Sequence, residues 1–193
     1  MSSKRKNSNH SSFLSTTIPN PKERKNVLLY SSLSAGIGLA GLILIFVYNG
    51  MLMMMEEDSY NGFVKQVGSV TRIVYFIVLS MYPVYLLLKW KSLKEIRWRN
   101  LSLKRMVQFS AKFLRKWHVP LALLATAGVL LHGVLALIRD FPWDFTYITG
   151  ILSTGVLIFL VFMGFKRFKR KDQAWHLKLA IAFTFLFMIH ASF

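Results

Sequence analysis

The sequence predicts an all-α membrane protein, a polytopic bundle of five transmembrane helices with its N-terminus inside and its C-terminus outside. Hydrophobic residues make up 54% of its 193 residues, yet 25 Lys and Arg against 8 Asp and Glu give a net charge of +17. A soluble basic protein, such as a nucleic-acid-binding protein, would not normally contain so many apolar residues. A membrane protein accounts for both numbers, because its apolar stretches contact lipid and its basic residues collect on one side. No nucleic-acid partner is therefore expected.

Five apolar stretches are long enough to cross a bilayer, which takes about 20 mostly apolar residues in a helix. They are Val27–Tyr48, Val70–Leu88, Val119–Ile138, Phe145–Phe165 and Ala174–Phe193. The first follows a long polar segment and precedes no small-residue cleavage site, so we interpret it as a retained anchor and not as a signal peptide. We predict two regions: a disordered, basic cytoplasmic tail over residues 1–26 and a transmembrane bundle over residues 27–193.

Lys and Arg are concentrated in three segments, which alternate along the chain with two connections that contain few basic residues. The tail contains six, the connection from Lys89 to Lys116 ten, and the segment from Lys166 to Lys178 six, which is 22 of the 25. With three acidic residues these segments carry a net charge of +19, whereas the other two connections contain three basic and five acidic residues, a net charge of −2. Since positive residues mark the cytoplasmic side, this asymmetry predicts a multi-pass protein of the cell membrane whose tail is inside.

Cysteine is absent. Its absence excludes disulfides, thiolate zinc sites, iron–sulfur clusters, covalently attached c-type haem and cysteine nucleophiles. Any metal or redox chemistry must therefore use other ligands.

Four histidines form two pairs with equal spacing. His118 and His132, at the third span, are separated by the same fourteen positions as His176 and His190 in the fifth, whereas His10 lies in the tail and is assigned no role. Fourteen helical residues rise about 21 Å and end about 40° short of four full turns. The two histidines of each span therefore lie on nearly the same helix face, at two depths.

The charge distribution makes the third and fifth spans parallel, so that histidines at the same depth can pair. A histidine on each face of the iron, supplied by two helices, is the arrangement that binds a b-type haem, and ionisable residues within spans are usually functional. We therefore predict two non-covalent haems, with His118 and His176 as ligands of the inner iron and His132 and His190 as ligands of the outer iron. The alternative is that these histidines are buried structural residues.

Basic residues near the histidines are candidates for contacts with the haem carboxylates. On the outer side we assign Arg72 as a cofactor-binding residue, with Lys65 and Arg139 as further candidates, although the Arg72 side chain could instead extend to the membrane interface. On the inner side several residues are equivalent candidates, namely Arg115, Lys116 and Lys178. No catalytic residue is assigned.

Two further segments each allow two interpretations. The segment from Leu101 to Arg115 alternates apolar and basic residues at near-helical spacing, which is typical of an interfacial amphipathic helix and equally of an extension of the third span. The run Met51, Met53, Met54 and Met55 could bind a soft metal ion through thioethers, but it is also typical of the interfacial end of a span.

From about Gly68 onwards the chain resembles the ferric reductase-like transmembrane domain family, in the form of a bacterial b-type cytochrome membrane subunit. The resemblance rests on Gly68, Arg72 and Pro83 in the second span, the pair His118 and His132, a fourth span without histidine, and the pair His176 and His190. It implies electron transfer through the membrane between two stacked haems. Many relatives continue into a domain that binds FAD and NADPH, but this sequence contains no Gly-rich nucleotide loop. The donor is therefore expected to be separate, with FMN, FAD or a quinone on a partner or at the surface.

The predicted function is that of an integral membrane di-haem cytochrome b. It would relay electrons from a quinol or a cytosolic flavoprotein to an outer acceptor such as ferric iron or an exported reductase. The cationic inner face suits an acidic partner protein and equally anionic lipid. Two alternatives stay open: a non-catalytic membrane anchor or assembly subunit, and a metal transporter.

Overall fold

The computed structural model describes residues 13–94, 96–98, 101–139, 143–169 and 173–192, which are almost entirely helical. The helices are α1 (Phe13–Thr17), α2 (Pro21–Val47), α3 (Asn49–Met54), α4 (Glu57–Leu79), α5 (Met81–Lys89), α6 (Leu103–Ile138), α7 (Phe145–Lys166) and α8 (Gln173–Ser192). Two 3-10 turns, η1 (Lys91–Lys94) and η2 (Arg167–Lys169), and a two-residue antiparallel strand pair, β1 (Arg97–Trp98) and β2 (Leu101–Ser102), complete the described elements. Residues 1–12 of the predicted tail, with His10, and Phe193 lie outside them.

Five helical segments of the described chain are long and apolar enough to cross a membrane. They are Pro21–Val47, Glu57–Lys89, Leu103–Ile138, Phe145–Lys166 and Ala174–Ser192. The predicted all-α architecture with five transmembrane helices is confirmed, and it is the architecture of a multi-pass membrane protein.

The first long helix begins at Pro21, ahead of the predicted span. The Asn20 side chain accepts hydrogen bonds from the backbone N–H groups of Lys22 and Glu23, and Pro21 occupies the first helical position, where its fixed φ is favourable. Ahead of this cap, Thr17 and Ile18 are buried. Residues 13–17 and 21–26 of the segment predicted as a tail are therefore helical.

The second span also begins earlier than predicted, because α4 starts at Glu57 and not near Val70. Its first turns are amphipathic: Tyr60 and Val64 are buried, whereas Lys65 is exposed, so mean hydropathy is low although the helix is unbroken. A break at Ser80 separates α4 from α5. Pro83 explains it, because proline lacks the N–H that would bond to the carbonyl of Leu79.

The segment from Leu101 to Arg115 belongs almost entirely to α6, which runs unbroken from Leu103 to Ile138 and contains Pro120. Of the two interpretations of this segment, the structure has the helix continuous with the third span. With 36 residues, α6 is about 54 Å long and exceeds the hydrocarbon thickness of a bilayer. Val107 and Ala111 are buried on one face of the extension, whereas Phe109 and Phe113 are exposed on another.

Helix α6 is the centre of the bundle and packs against α2, α4 and α5, whereas α7 packs mainly against α8. Helices α2 and α6 are parallel and closely packed: a Cβ placed on Gly38 would lie 3.6 Å from Cβ of Ala127, and one on Gly41 would lie 2.6 Å from Cδ1 of Leu131. Glycines in α2 thus permit the close approach that stabilises helix pairs in membranes.

Two buried clusters connect the helices. One joins α2, α3, α4 and α6 and consists of Ile45, Leu52, Tyr60, Val64 and Leu135. The other joins α4, α6, α7 and α8 and consists of Tyr75, Ala125, Leu157, Phe183 and Phe187. The second cluster is the one that holds the α7–α8 pair against the rest of the bundle.

Candidate functional site

His132 and His190 face each other at one end of the bundle. Their ring centroids are 6.2 Å apart and the ring planes are inclined by 64°. His132 Nδ1 is 3.1 Å from the carbonyl oxygen of Val64 on α4, and His190 Nδ1 is 2.9 Å from that of Thr146 on α7. Because a carbonyl only accepts, each Nδ1 carries the proton and donates it, which leaves each Nε2 as a free lone pair. We call this pair site B.

His118 and His176 form the second pair, site A, at the other end of the same two helices. The two rings interact electrostatically with each other, and both also interact with the Arg167 guanidinium. The carbonyl of Val78 acts on His118 and that of Leu160 on His176. Site A has no hydrogen bonds that match those of site B, because Nδ1 of each histidine is buried without a hydrogen-bond partner in the described part of the chain.

The two pairs establish that α6 and α8 run parallel, each with one histidine in either site. The carbonyls that face the rings repeat at the interval of the histidines, since Val64 and Val78 in α4 are fourteen positions apart, as are Thr146 and Leu160 in α7. Four helices therefore contribute to each site, and each repeats its contribution after four turns.

Glycines pack against three of the four imidazole rings. A Cβ on Gly68 would lie 2.9 Å from Cε1 of His132, and one on Gly150 would lie 2.9 Å from Cε1 of His190. Gly164 follows Gly150 at the same fourteen-position interval, and a Cβ there would lie 3.7 Å from Cε1 of His176. Only glycine fits beside the site B rings as they stand, since Cβ contacts under 3.0 Å essentially never occur. Gly150, Gly164, Val64 and Thr146 are site residues that the sequence analysis missed, and the repeated interval of the two glycines could have identified that pair.

A packed layer separates the two sites. Ala125 and Phe183 each lie midway between the two histidines of their own helix, and with Tyr75 and Leu157 they are all at most 3% exposed. The Tyr75 hydroxyl is 3.1 Å from Thr126 Oγ1, and the Tyr75 and Phe183 rings are 5.1 Å apart. The sites are thus separated by close-packed side chains.

Two tyrosines stabilise the end of α6 beside His132. The Tyr60 hydroxyl donates to the carbonyl of Leu135 (2.6 Å), and the Tyr147 hydroxyl donates to that of Ala136 (3.0 Å). Both carbonyls belong to the last turn of the helix, whose oxygens have no partner within the helix. The hydroxyls therefore fix the end of α6 between α4 and α7.

Two of the three cations assigned near site B lie close to it. Arg72 Nη1 is 3.5 Å from the carbonyl oxygen of Ala191, the residue after His190. The Arg139 guanidinium lies over the Tyr60 ring, 5.2 Å from its centroid, and its Nη1 is buried with no hydrogen-bond partner in the described chain. Lys65 is exposed. Site B is thus flanked by two arginines whose guanidinium groups are only partly satisfied.

The cations assigned to the other end are placed differently. Arg115 and Lys116 are exposed, and the Lys178 ammonium lies over the Trp175 ring, 4.9 Å from its centroid. Arg167, which the sequence analysis did not single out, interacts with both histidines of site A. It directly follows α7, so its position depends on where that helix ends.

The methionine run lies on α3 and just after it. Leu52 and Met55 pack into the cluster that contains Val64 and Leu135, whereas Met51 and Met54 are exposed. Within the described ranges, no group of three or more His, Cys, Asp or Glu residues is arranged to hold a metal ion.

Fold and site together define a helical membrane protein with two histidine pairs between parallel spans. No protein-family model, curated protein or solved structure matches this chain.

Proposed function

We propose that this chain is an integral membrane di-haem cytochrome b that relays electrons across the membrane. The observation that carries the proposal is site B, in which two imidazoles from parallel helices face each other with their Nδ1 protons bonded to backbone carbonyls. A metal-ligating histidine usually donates its other N–H to such an acceptor, which fixes the ring and its tautomer.

The distance between the rings of site B supports ligation of one metal ion. A bond from a metal ion to an imidazole nitrogen is about 2 Å long, and the ring centre lies about 1 Å further on, so two imidazoles on opposite sides of an ion have centres about 6 Å apart. The centroids of His132 and His190 are 6.2 Å apart. His132 and His190 would together hold the haem iron, whose other bonds the porphyrin would supply.

The charges around the sites also fit haem, which carries two carboxylates. Among the described residues, Arg139 has a buried Nη1 without a partner, and the hydrogen bond of Arg72 is a long one to a backbone carbonyl. Guanidinium groups buried near a membrane are costly unless they are paired with an anion. Arg72 and Arg139 would hold the carboxylates at site B, and Arg167 would do so at site A.

Two such haems, when bound, would supply one-electron redox chemistry with no open coordination position for oxygen or substrate. His118 and His176 would hold one iron, and His132 and His190 would hold the other. The layer of Tyr75, Ala125, Leu157 and Phe183 excludes water from the intervening space. The sites are about 21 Å apart along the helices, so they would divide the passage across the membrane into shorter steps.

The charge asymmetry supports an orientation with site A towards the cytoplasm of the cell and site B towards the outside. In this orientation electrons would pass from an inner donor to an outer acceptor, such as ferric iron or an exported reductase. The likeness of the histidine pattern to that of the ferric reductase-like family supports electron transfer through two haems in this chain.

Two classes of donor are candidates. The net charge of +19 that the sequence gives to the segments predicted as cytoplasmic favours an acidic flavoprotein, with anionic lipid as the other natural contact. A quinol dissolved in the membrane is the other class of donor, but the groove of about 450 Å³ between α2, α4 and α6 extends from Ala125 to Leu131, next to His132 of site B, and so does not mark a donor site at the inner end.

The second candidate function is a membrane anchor or assembly subunit. It is favoured by the same bonds from His132 to Val64 and from His190 to Thr146, because they also tie neighbouring helices together without any cofactor. A metal transporter is the third candidate, with the methionine run, of which Met51 and Met54 are exposed, and the histidines as its ligands.

The visible absorption spectrum of the protein purified in detergent separates these functions. A relay requires a spectrum of b-type haem with two axial histidines and a stoichiometry of two haems per chain. A colourless protein from cells with ample haem would rule the relay out and leave the anchor or the transporter. Copper and iron analysis of the same sample then separates those two.

A further inference from the structure

The rings of the two sites are held to different degrees. In site B both Nδ1 groups donate to backbone carbonyls, at 3.1 Å for His132 and 2.9 Å for His190. In site A, Nδ1 of His118 and of His176 are buried and have no partner in the described chain. A hydrogen bond therefore fixes the Nδ1 proton in site B, whereas in site A the carbonyls of Val78 and Leu160 act on the rings without a hydrogen bond to Nδ1 and select the tautomer more weakly.

The backbone around the rings differs in the same direction. Gly68 and Gly150 contact the two site B rings so closely that a Cβ would lie 2.9 Å from either Cε1. In site A the corresponding glycine contact is looser, because a Cβ on Gly164 would lie 3.7 Å from Cε1 of His176. Tyr82 occupies the position that follows Gly68 at the same fourteen-position interval. The end of α6 at site B is also fixed by the hydroxyls of Tyr60 and Tyr147.

We propose that the two sites bind haem in a fixed order, with site B first and at least tenfold more tightly than site A. The inference rests on the proposed function and deepens it. Rings that already have the ligating orientation and tautomer lose less conformational freedom on binding. Loss of a partner that orients a ligating histidine typically lowers metal affinity 10- to 100-fold, and in the described chain the site A histidines have no hydrogen bond at Nδ1, although the carbonyls of Val78 and Leu160 act on the rings.

Haem supply would therefore control whether the electron path is complete. At limiting haem, most chains would be loaded at site B alone and would have no haem on the donor side. Occupancy of site A would rise mainly after most of site B is filled, so the proportion of active chains would follow the availability of haem.

The test is a titration of haem-free protein in detergent with ferric protoporphyrin IX, followed by absorbance. His176→Gln retains only site B and His190→Gln retains only site A, so the dissociation constant of each site is measured alone. The expected result is a dissociation constant at least ten times lower for His176→Gln than for His190→Gln, and two resolved phases for the wild type. Equal constants, or tighter binding at site A, would overturn the proposed order.

A pair of glycine variants on one helix tests the cause. Gly150→Ala places a Cβ 2.9 Å from the His190 ring, so the ring or the backbone must shift and the bond to the Thr146 carbonyl is disturbed, whereas Gly164→Ala places one at an ordinary 3.7 Å from His176. We expect Gly150→Ala to weaken site B at least tenfold and Gly164→Ala to leave site A unchanged. Unaltered binding in a folded Gly150→Ala protein would contradict the role of the held rings. If no form of the protein binds haem, the proposed function itself fails, which is a different outcome from two sites of equal affinity.

Discussion

His132 and His190 face each other at 6.2 Å although they come from α6 and α8, between which the whole of α7 lies in the sequence. Each ring is also bonded to a third or fourth helix, His132 to Val64 of α4 and His190 to Thr146 of α7. Four of the five spans therefore meet at one point. A change at either histidine should consequently affect one site specifically while most of the packing stays in place.

Replacing His190 by glutamine is expected to remove one haem and retain the other. The glutamine amide can still donate to the Thr146 carbonyl, but it is a poor haem ligand, so helix packing is preserved while ligation at site B is lost. Haem per chain should fall from two to one, as measured by absorbance against protein concentration. His118→Gln should also leave one haem per chain, in this case the haem of site B. Loss of both haems from a monodisperse His190→Gln protein would contradict independent sites.

The sequence could predict the spans and the histidine pairing because both depend on periodic features. Apolar length gives a span, and the fourteen-position interval places His118 and His132 on nearly one face whatever the neighbouring helices are. The partners of the rings could not be predicted in the same way. Val64 and Thr146 contribute only backbone carbonyls, which every residue has, so their identity depends on how α4 and α7 pack.

The hydropathy pattern also could not predict where the helices begin. The first half of α4 contains Glu57 and Lys65 on its exposed side, and these lower the local hydropathy although Tyr60 and Val64 on the other side are buried.

Arg167 was missed for a different reason. It is one of six basic residues in its segment, and only the fold decides which of them approaches His118 and His176.

Gly128→Ala is expected to destabilise the bundle by about 1 to 3 kcal/mol. A Cβ on Gly128 would lie 2.6 Å from Oγ1 of the buried Thr71, so α4 and α6 would have to separate. The measurement is thermal or denaturant unfolding in detergent. Thr71→Ala removes the obstructing atoms, and its hydroxyl bonds only to the Val67 carbonyl one turn back, so the double variant should recover much of the loss.

Gly36→Ala is the matched control for this change. It lies on an exposed face of α2 with nothing within 4 Å of its Cβ position, so alanine should be neutral or stabilise by roughly 0.5 to 1 kcal/mol through helix propensity. Equal destabilisation by Gly36→Ala and Gly128→Ala would show that close packing against Thr71 is not the cause.

Phe183→Ala is expected to cost about 3 kcal/mol of stability, because it would leave a cavity in the layer between the two sites. Phe183 is 1% exposed and stacks on Phe187 with centroids 5.6 Å apart, whereas Phe185 on the same helix is 67% exposed and would face lipid. Phe185→Ala should therefore change the unfolding temperature little. The two variants compared in one detergent separate loss of packing from a general loss of apolar surface, and equal effects would contradict the placement of this layer.

Arg72→Gln is expected to lower the reduction potential of the haem in site B and to leave that of site A unchanged. Arg72 reaches the Ala191 carbonyl, directly after His190, and a positive charge there favours the reduced iron, which carries one positive charge less. A change of 1.4 kcal/mol in that preference corresponds to about 59 mV for a one-electron couple, so a shift on the order of tens of millivolts is expected. A spectroscopic redox titration resolves the two haems, and the His190→Gln protein identifies which potential belongs to site A. Lys65→Gln removes a charge of the same sign from an exposed position on the same helix and should shift neither potential appreciably. An equal shift of both haems in Arg72→Gln, or none, would remove Arg72 from site B.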